Sequence, residues 1–252
     1  MIEVLYMLKI EVWSDFVCPF CYIGKRRLEM AIEEFAHKDQ VEIQYKSFEL
    51  DSNAPAHTDQ HIYDALATKF NTNTAQVKEM NKGLIEQAAE IGLIYNYDEM
   101  KPTNTFDAHR LAKYAETIGK DKVLTEHLLH AYFTDSRNVG DIEILAAIAE
   151  ESGIDRDKAF EVLNDSSSFA NEVRNDQKTA QDIGVTGVPY FVINKKYAFS
   201  GAQPLETFKS ALDQVWEQEN PKPQFMDLSG DDSGAVCTDD SCLVPPTQNE
   251  NK

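Results

Sequence analysis

Asp15-Phe16-Val17-Cys18-Pro19-Phe20-Cys21-Tyr22-Ile23-Gly24 is the stretch of this 252-residue chain that decides its fold. The residues before it, 8–13, alternate between apolar and polar as a β-strand does. The apolar residues after position 24 recur at the spacing of a helix. Pro19 suits the first position of that helix, where no backbone N–H is required. The two cysteines therefore lie where a strand ends and a helix begins.

This placement predicts redox chemistry for Cys18 and Cys21. Two cysteines separated by two residues can close a disulfide within one helical turn. The free N–H groups of the first turn and the aligned peptide dipoles favour a negative charge at Cys18. A cysteine in such a field is largely thiolate at neutral pH and attacks disulfides. The alternatives are an inert buried thiol pair or half of a zinc site, and the strand-to-helix context favours thiol–disulfide exchange.

A second segment, residues 184–193 with the sequence GVTGVPYFVI, places a proline directly before an apolar strand. Pro189 would remove a hydrogen-bond donor from the interior of a sheet, so it belongs at the start of the strand, in a turn or a cis peptide bond. The strand continues to residue 199 as a hairpin that turns at Asn194-Lys195.

With these segments in place, the chain resembles the thioredoxin-like superfamily, in its branch related to the disulfide oxidoreductase DsbA. Within that branch it is most similar to the FrnE type, which carries a second cysteine pair near the C-terminus. The CPFC, VTGVP and CTDDSC segments occur here in the expected order. The resemblance implies that Cys18 attacks, that Cys21 resolves the mixed disulfide, and that Pro189 is a cis-proline facing both.

The same resemblance implies where substrate binds. A cis bond at Pro189 would direct the backbone of Val188 toward an extended polypeptide, which would bind as an added strand. Pro19 and Phe20, between the two cysteines, would contact the same substrate. The expected partners are protein thiols and disulfides, with glutathione or a thioredoxin system as the source of electrons. We expect the disulfide itself to be the redox centre, with no other cofactor and no metal.

Composition disfavours several other classes of partner. The formal net charge of −19 would repel nucleic acid and anionic membrane surfaces. No apolar run approaches the roughly 20 residues needed to span a bilayer. The first residues lack a basic region and a cleavage site, so we expect a cytoplasmic protein. In that reducing compartment, four cysteines indicate redox or metal chemistry rather than structural disulfides.

The rest of the chain predicts an α/β protein whose sheet is split in sequence. Residues 41–45 alternate as a strand parallel to the first, which gives a βαβ unit. Pro204 opens a last helix after the hairpin. The predicted fold is thioredoxin-like, βαβ plus ββα, with a large all-helical insertion. The predicted units are the first half of the thioredoxin-like domain (1–56), the inserted helical domain (57–184), the second half (185–220) and an acidic tail with the second cysteine pair (221–252).

Glycines and capping residues predict the helix ends of the insertion. We expect C-terminal stops at Gly92, Gly119, Gly153 and Gly184. We expect N-terminal caps at Thr74, Asp141, Asp155 and Ser168.

Asp15 has two interpretations. It is either a solvated loop acid or a group that takes up the proton when Cys21 attacks. The basic residues that follow, Lys25, Arg26 and Arg27, are beyond the first helical turn, so we predict that they lie on the surface.

Asn104 and His109 fall at the start of an inserted helix, in a region that related isomerases place near their catalytic cleft. The local pattern instead favours a helix cap and a histidine of an amphipathic helix. We therefore do not assign them to catalysis.

The second pair, Cys237 and Cys242, lies in a tail rich in proline and aspartate. Cys237 is seventeen positions after Asn220, and a flexible chain of that length spans roughly 20–25 Å. The last helix is itself roughly 24 Å long, so the tail can return to the first pair. Asp239 and Asp240 disfavour a thiolate here. This pair is predicted to be an electron shuttle or a regulator, as the FrnE resemblance suggests, and a zinc site formed with the first pair is the alternative.

Three functions therefore remain open. The leading one is a cytoplasmic thiol–disulfide oxidoreductase, with disulfide isomerase activity as an extension. The second is a glutathione-dependent isomerase or transferase like the hydroxychromene-carboxylate isomerases and kappa-class transferases, relatives that place a serine where this chain has Cys18. The third is a zinc-binding or chaperone-like module.

Overall fold

The computed structural model describes residues 6–221, 236–237 and 242–243. Within them the main sheet has four strands in the order β2-β1-β3-β4. Strands β1 (Leu8–Ser14) and β2 (Val41–Ser47) are parallel. Strand β3 (Tyr190–Ile193) is antiparallel to β1, and β4 (Tyr197–Ser200) is antiparallel to β3. The sheet thus joins segments from both ends of the described chain.

Helix α1 (Pro19–Glu34) connects β1 to β2 by way of a short 3-10 turn (Lys38–Gln40), and α9 (Leu205–Glu219) follows β4. Every regular element between β2 and β3 is helical. These are α2 (Ile62–Lys69), α3 (Thr74–Ala89), α4 (Phe106–Thr117), α5 (Asp121–Phe133), α6 (Ile142–Glu151), α7 (Arg156–Asn164) and α8 (Ala170–Asp182). The two-residue strands β5 (Val236–Cys237) and β6 (Cys242–Leu243) pair antiparallel. No helix in the described ranges is both long and apolar enough to cross a bilayer.

The packing follows from the period-2 pattern of β1 and the apolar faces of two helices. Leu8, Ile10 and Val12 point to one face of the sheet and are at most 2% exposed. That face is covered by α1 and α9, whose Leu28 and Phe208 belong to the same apolar cluster. The inserted helices form a second, larger cluster. The predicted fold class, α/β and thioredoxin-like with an inserted helical block, is confirmed.

The predicted helix stops are confirmed, because all four glycines adopt the left-handed conformation just after a helix. The caps Asp141 and Asp155 are also confirmed, since each carboxylate accepts a hydrogen bond from the third residue of its helix. The prediction is wrong at Thr74, because Asn73 caps α3 from one position earlier. It is also wrong at Ser168, whose hydroxyl donates to Asp165 instead.

Two tryptophans join helices to the core at different places. Trp13 of β1 is 1% exposed, and its indole N–H donates to the carbonyl oxygen of Asp176 in α8 at 3.0 Å. Trp216 of α9 stacks on the His37 ring with centroids 3.8 Å apart, and Phe35 meets it edge-on. The first contact fixes the inserted block on the sheet, and the second fixes α9 on the end of α1.

The basic residues of α1 are not on the surface, contrary to the prediction. Lys25 is 3% exposed, and its ammonium contacts the carboxylate of Glu126 in α5. Arg26 is half-buried and bonds the same carboxylate at 2.7 Å. Arg27 donates to the carbonyl oxygen of Ala202 at 2.7 Å. The prediction failed because these side chains serve contacts with the inserted block and with the loop before α9, which the local sequence does not show.

Candidate active site

The CPFC segment begins helix α1. Cys18 occupies the N-cap position with extended backbone angles, φ −93° and ψ 112°, and Pro19 is the first helical residue. The Cys21 N–H donates to the Cys18 carbonyl oxygen at 3.0 Å, which starts the helix. The Cys18 N–H donates to the Asp15 carbonyl oxygen at 3.2 Å and closes the turn after β1.

The loop before β3 lies directly against Cys18. Both cysteines are free thiols in the structure and are at most 3% exposed. The Cys18 thiol donates to the Val188 carbonyl oxygen, with sulfur and oxygen 3.6 Å apart. The Val188–Pro189 peptide bond is cis. Residues 170 positions apart in sequence thus meet at one sulfur atom.

Gly24 allows α1 to approach this loop. A Cβ atom at Gly24 would lie 3.1 Å from Pro189 Cγ and 3.2 Å from Phe191 Cζ, which is tighter than ordinary contact. Glycine therefore sets how closely the helix that carries the cysteines can pack on the proline that faces them.

The residues predicted to bind substrate differ in accessibility. Phe20 is 47% exposed although it lies between two buried cysteines. Pro19 and Val188 are half-buried, and Pro189 is buried. Of these four residues, Phe20 is the one that is exposed next to Cys18.

Cys21 lies in a different environment from Cys18. Burial raises the pKa of the Cys21 thiol well above its ordinary value, and hydrogen bonding and charge from Cys18 raise it further. Ser14 and the backbone of Asp15 act in the opposite direction and offset part of this rise in the pKa. Cys21 therefore keeps its proton until a base removes it.

Asp15 is 1% exposed, so its interpretation as a solvated loop acid is wrong. One carboxylate oxygen, Oδ2, accepts the Leu50 N–H at 2.7 Å. The other, Oδ1, lies 3.4 Å from Nε2 of His109. Nε2 is also 3.1 Å from the carbonyl oxygen of Phe48, so both neighbours of this nitrogen are oxygen atoms. Oδ2 of Asp15 is therefore hydrogen-bonded, whereas Oδ1 is buried beside His109 without a hydrogen-bond partner among the described residues.

His109 was therefore missed as a site residue by the sequence analysis. It is 3% exposed and stacks on Phe16 with ring centroids 4.7 Å apart. Its position in an amphipathic helix does not reveal that this helix faces the turn before Cys18. Asn104 has the capping role expected for it, because its carboxamide oxygen accepts the Phe106 N–H at 2.9 Å.

A small cavity lies next to His109. Its volume is about 20 Å³, and its lining includes the side chains of Ser14, Lys113, Glu116 and Thr125. A volume of this size admits one water molecule. Among the described residues, the buried Thr125 hydroxyl has no hydrogen-bond partner. The cavity is thus lined by Ser14 on one side and by the half-buried Glu116 on another.

Two tyrosines from the segment between α3 and α4 also reach the site. The Tyr95 hydroxyl donates to the carbonyl oxygen of Pro19 at 2.7 Å. Tyr97 lies beside it with ring centroids 6.2 Å apart. Burial raises the pKa of both phenols above the ordinary value, and the charge of Cys18 adds to both shifts. No periodic pattern in this irregular segment indicated either residue.

The second cysteine pair is described only in its backbone. Cys237 and Cys242 are directly opposite each other across β5 and β6. Their side chains, and with them the four-cysteine zinc alternative, lie outside the described part of the chain. Across the described residues, the structure shows no cluster of three or more histidine, cysteine or acidic side chains that could hold a metal.

Comparisons with known proteins place these features in a family context. The DSBA-like thioredoxin domain family matches residues 9–213, a range that includes Cys18, Cys21 and Pro189 and ends before Cys237. The crystal structure of the probable DsbA oxidoreductase SCO1869 from Streptomyces coelicolor is 37% identical, with a TM-score of 0.81 over 95% of this chain and 100% of that chain.

Two further proteins match most of the chain. The uncharacterized protein YwbO from Bacillus subtilis (strain 168) is 29% identical over 206 residues, which is 81% of this chain and 94% of YwbO. The cytosolic disulfide reductase DsbM from Pseudomonas aeruginosa, solved with GSH, is 13% identical with a TM-score of 0.59, over 83% of this chain and 99% of that one. At that identity the likeness to DsbM concerns the fold alone.

Proposed function

Because the chain belongs to the DSBA-like thioredoxin domain family, we propose that it is a thiol–disulfide oxidoreductase that acts on protein disulfides through Cys18 and Cys21. One observation carries the proposal. Two free thiols lie in the first turn of α1, and the first of them faces the Val188 carbonyl oxygen at 3.6 Å. This arrangement presents a sulfur nucleophile beside a backbone segment able to bind an extended peptide.

The reaction uses the two cysteines in sequence. The Cys18 thiolate attacks one sulfur of a substrate disulfide, a mixed disulfide forms, and the other substrate sulfur leaves as a thiolate. Cys21 then loses its proton and attacks Cys18, which breaks the mixed disulfide and closes the Cys18–Cys21 disulfide. The second substrate sulfur leaves and is protonated. A thiol reductant of the glutathione class or a thioredoxin system returns the pair to the dithiol.

Asp15 is proposed to take up the proton of Cys21. Asp15 is buried, and its backbone carbonyl closes the turn that leads into Cys18. The Leu50 N–H holds one of its carboxylate oxygens, and the other is buried beside His109 without a hydrogen-bond partner among the described residues, so a free acceptor atom is in place. The cavity beside Ser14 and His109 has room for one water molecule, which we propose carries the proton onward.

The same proposal covers the type within the family, the location of the protein and the role of the second cysteine pair. We place the protein in the FrnE type and in the cytoplasm, with Cys237 and Cys242 as an electron shuttle or regulator for the first pair. The support for the second pair is its sequence position and its facing backbone register. Disulfide isomerase activity is the extension to be measured separately, by refolding of scrambled ribonuclease.

Insulin reduction with a thiol reductant tests the proposal. Cys18→Ser is expected to lose activity entirely, because it removes the nucleophile. Cys21→Ser is expected to form a mixed disulfide with the substrate that persists and is detected by mass. The double variant of Cys237→Ser and Cys242→Ser is expected to lose only part of the activity. Full activity of Cys18→Ser would refute the assignment of the site.

A further inference from the structure

The Tyr95 hydroxyl makes a contact with the active helix that the reaction scheme above does not use. It donates to the carbonyl oxygen of Pro19 at 2.7 Å. Tyr95 is 6% exposed, and its ring packs between Phe133 and Tyr22 at centroid distances of 4.7 and 6.2 Å. The hydroxyl is therefore carried by the inserted block and is held between that block and α1.

The Pro19 carbonyl, which accepts this hydrogen bond, shares a peptide unit with an N–H group that can donate to Cys18. The Pro19 carbonyl and the Phe20 N–H belong to one peptide unit. Cys18 is the N-cap residue, and an N-cap side chain accepts from the N–H of the second or third helical residue. Phe20 is that second residue. The Phe20 N–H is thus one of the donors available to a sulfur anion at Cys18.

The protonation state of Cys18 decides which contact its sulfur makes. As a thiol it donates to the Val188 carbonyl oxygen, and it makes no capping hydrogen bond. As a thiolate it can only accept, so the N–H groups of the first turn become its partners. A hydrogen bond donated to a peptide carbonyl polarises the unit and strengthens its N–H as a donor.

We propose that Tyr95 is a positioning residue that stabilises the Cys18 thiolate through the Pro19–Phe20 peptide unit. The inference rests on the proposed function only in assigning Cys18 as the nucleophile. It makes the inserted block part of the redox centre, since a hydroxyl carried by that block sets the strength of a donor to the reacting sulfur.

The test compares two tyrosines in a chain that has a single thiol. Replacing Cys21, Cys237 and Cys242 by serine leaves Cys18 as the last of the four cysteines. Into this background we would introduce Tyr95→Phe or, as the matched control, Tyr132→Phe. Tyr132 is 2% exposed, also packs on Phe133, and donates to the Lys101 carbonyl oxygen at 3.1 Å. Both variants remove one buried hydroxyl and keep the ring.

The readouts are the pH titration of thiolate ultraviolet absorbance and the rate of alkylation by iodoacetamide. In Tyr95→Phe the absorbance midpoint is expected at higher pH, and alkylation below that midpoint is expected to slow by about twofold to fourfold. Tyr132→Phe is expected to change neither. Equal shifts in the two variants, or an unshifted Tyr95→Phe that remains folded, would overturn the inference.

A second measurement needs no tyrosine variant. In the single-thiol background, the Phe20 amide resonance is expected to move with the same pH midpoint as the sulfur absorbance. A Phe20 amide that ignores this titration overturns the inference even if Tyr95→Phe fails to fold. Loss of insulin reduction by the native chain would contradict the proposed function, but both titrations would still decide the role of Tyr95.

Discussion

The Asp15 carboxylate accepts a hydrogen bond from the Leu50 N–H with one oxygen, and its other oxygen lies near His109. Cys21, six residues later, has a raised pKa and does not lose its proton readily. Asp15→Asn keeps the shape and removes the base. We expect resolution of the mixed disulfide to slow by about a hundredfold at neutral pH, at the lower end of what a positioned base contributes. Rapid acid quench and mass analysis measure this step.

The sign of the pH dependence follows from the raised pKa of Cys21. Without the base, Cys21 must lose its proton to solvent, so the deficit of Asp15→Asn is expected to be largest at neutral pH and to shrink as the pH rises. Asp64→Asn, at an exposed position in α2, is the control. A deficit that stays constant with pH, or one shared by the control, would contradict a proton-transfer role.

Single residues were predictable where the chemistry is local. Cys18, Cys21 and Pro189 are identified by their own neighbours in sequence. His109 and Tyr95 were not, because each contacts a distant segment of the chain. His109 contacts the Phe48 carbonyl, 61 positions away, and Tyr95 contacts the Pro19 carbonyl, 76 positions away. Nothing within one turn of either residue encodes that contact.

At the scale of elements, two helical glycines differ in the space around them, so replacing each by alanine distinguishes helix propensity from packing. Gly83 lies in α3, and no atom of the described chain lies within 4 Å of a Cβ placed there. Gly83→Ala is expected to raise the free energy of unfolding by about 0.5–1 kcal/mol, because alanine favours the helix. Urea denaturation measures the change.

Gly24→Ala gains the same propensity but forces a methyl group against Pro189 and Phe191. We expect the gain to be cancelled, since overpacking typically costs about 1–3 kcal/mol. Insulin reduction is expected to fall as Pro189 is pushed away from Cys18. Equal stabilisation at both glycines, with activity retained at Gly24→Ala, would show that α1 and the proline loop are not closely fitted.

Strands and helices were predictable because each has a period and an end signal of its own. The hairpin turn at Asn194-Lys195 has both residues in the left-handed region, as a tight turn requires. At Thr74 two neighbouring polar residues compete for one capping position, and Asn73 takes it. At Ser168 the N-cap position falls one residue later, at Phe169, whose side chain makes no capping hydrogen bond, and the Ser168 hydroxyl bonds Asp165. Sequence pattern alone does not rank such neighbours.

For the molecule as a whole, Glu126 of α5 links the inserted block to α1. Burial alone would raise its pKa, but Lys25, Tyr22 and Arg26 outweigh burial and hold the pKa below the ordinary value. A carboxylate whose pKa is lowered by folding stabilises the protein at pH values above its unfolded pKa of about 4.3. That stabilisation is lost as the pH falls through the folded-state pKa. Acid is therefore expected to loosen this contact.

Glu126→Gln tests this expectation in urea unfolding followed from about pH 7 to about pH 3. The variant is expected to be less stable than the native chain at neutral pH, because Lys25 is buried and loses a charged partner. The difference is expected to shrink below the unfolded pKa of about 4.3 and to close only as pH falls through the lower folded-state pKa, where Glu126 is protonated in both states. Glu161→Gln, in an exposed pair with Lys158, is the control and is expected to have little effect. Parallel stability curves would contradict the role of Glu126.

The order of strands and helices along the chain was predictable from the sequence, but the contacts between the inserted helices and the rest of the fold were not. The predicted parallel pair of β1 and β2 and the predicted hairpin of β3 and β4 are both present. The pairing of β1 with β3, which joins the two halves, was not predicted. The surfaces by which the inserted helices meet the sheet and α1 were not predicted, and they explain why Lys25 is buried. Those surfaces also supply His109 and Tyr95, so the site is shared between both parts of the chain.

The two tryptophans of the chain lie in unlike surroundings, one in the strand five residues before Cys18 and one stacked on His37 at the end of α1. Intrinsic fluorescence therefore carries two signals that originate in different places. Trp216→Phe would leave a single fluorophore in β1, on the strand that leads into the cysteine pair. Emission from that one indole would then follow opening and closing of the disulfide without any added dye.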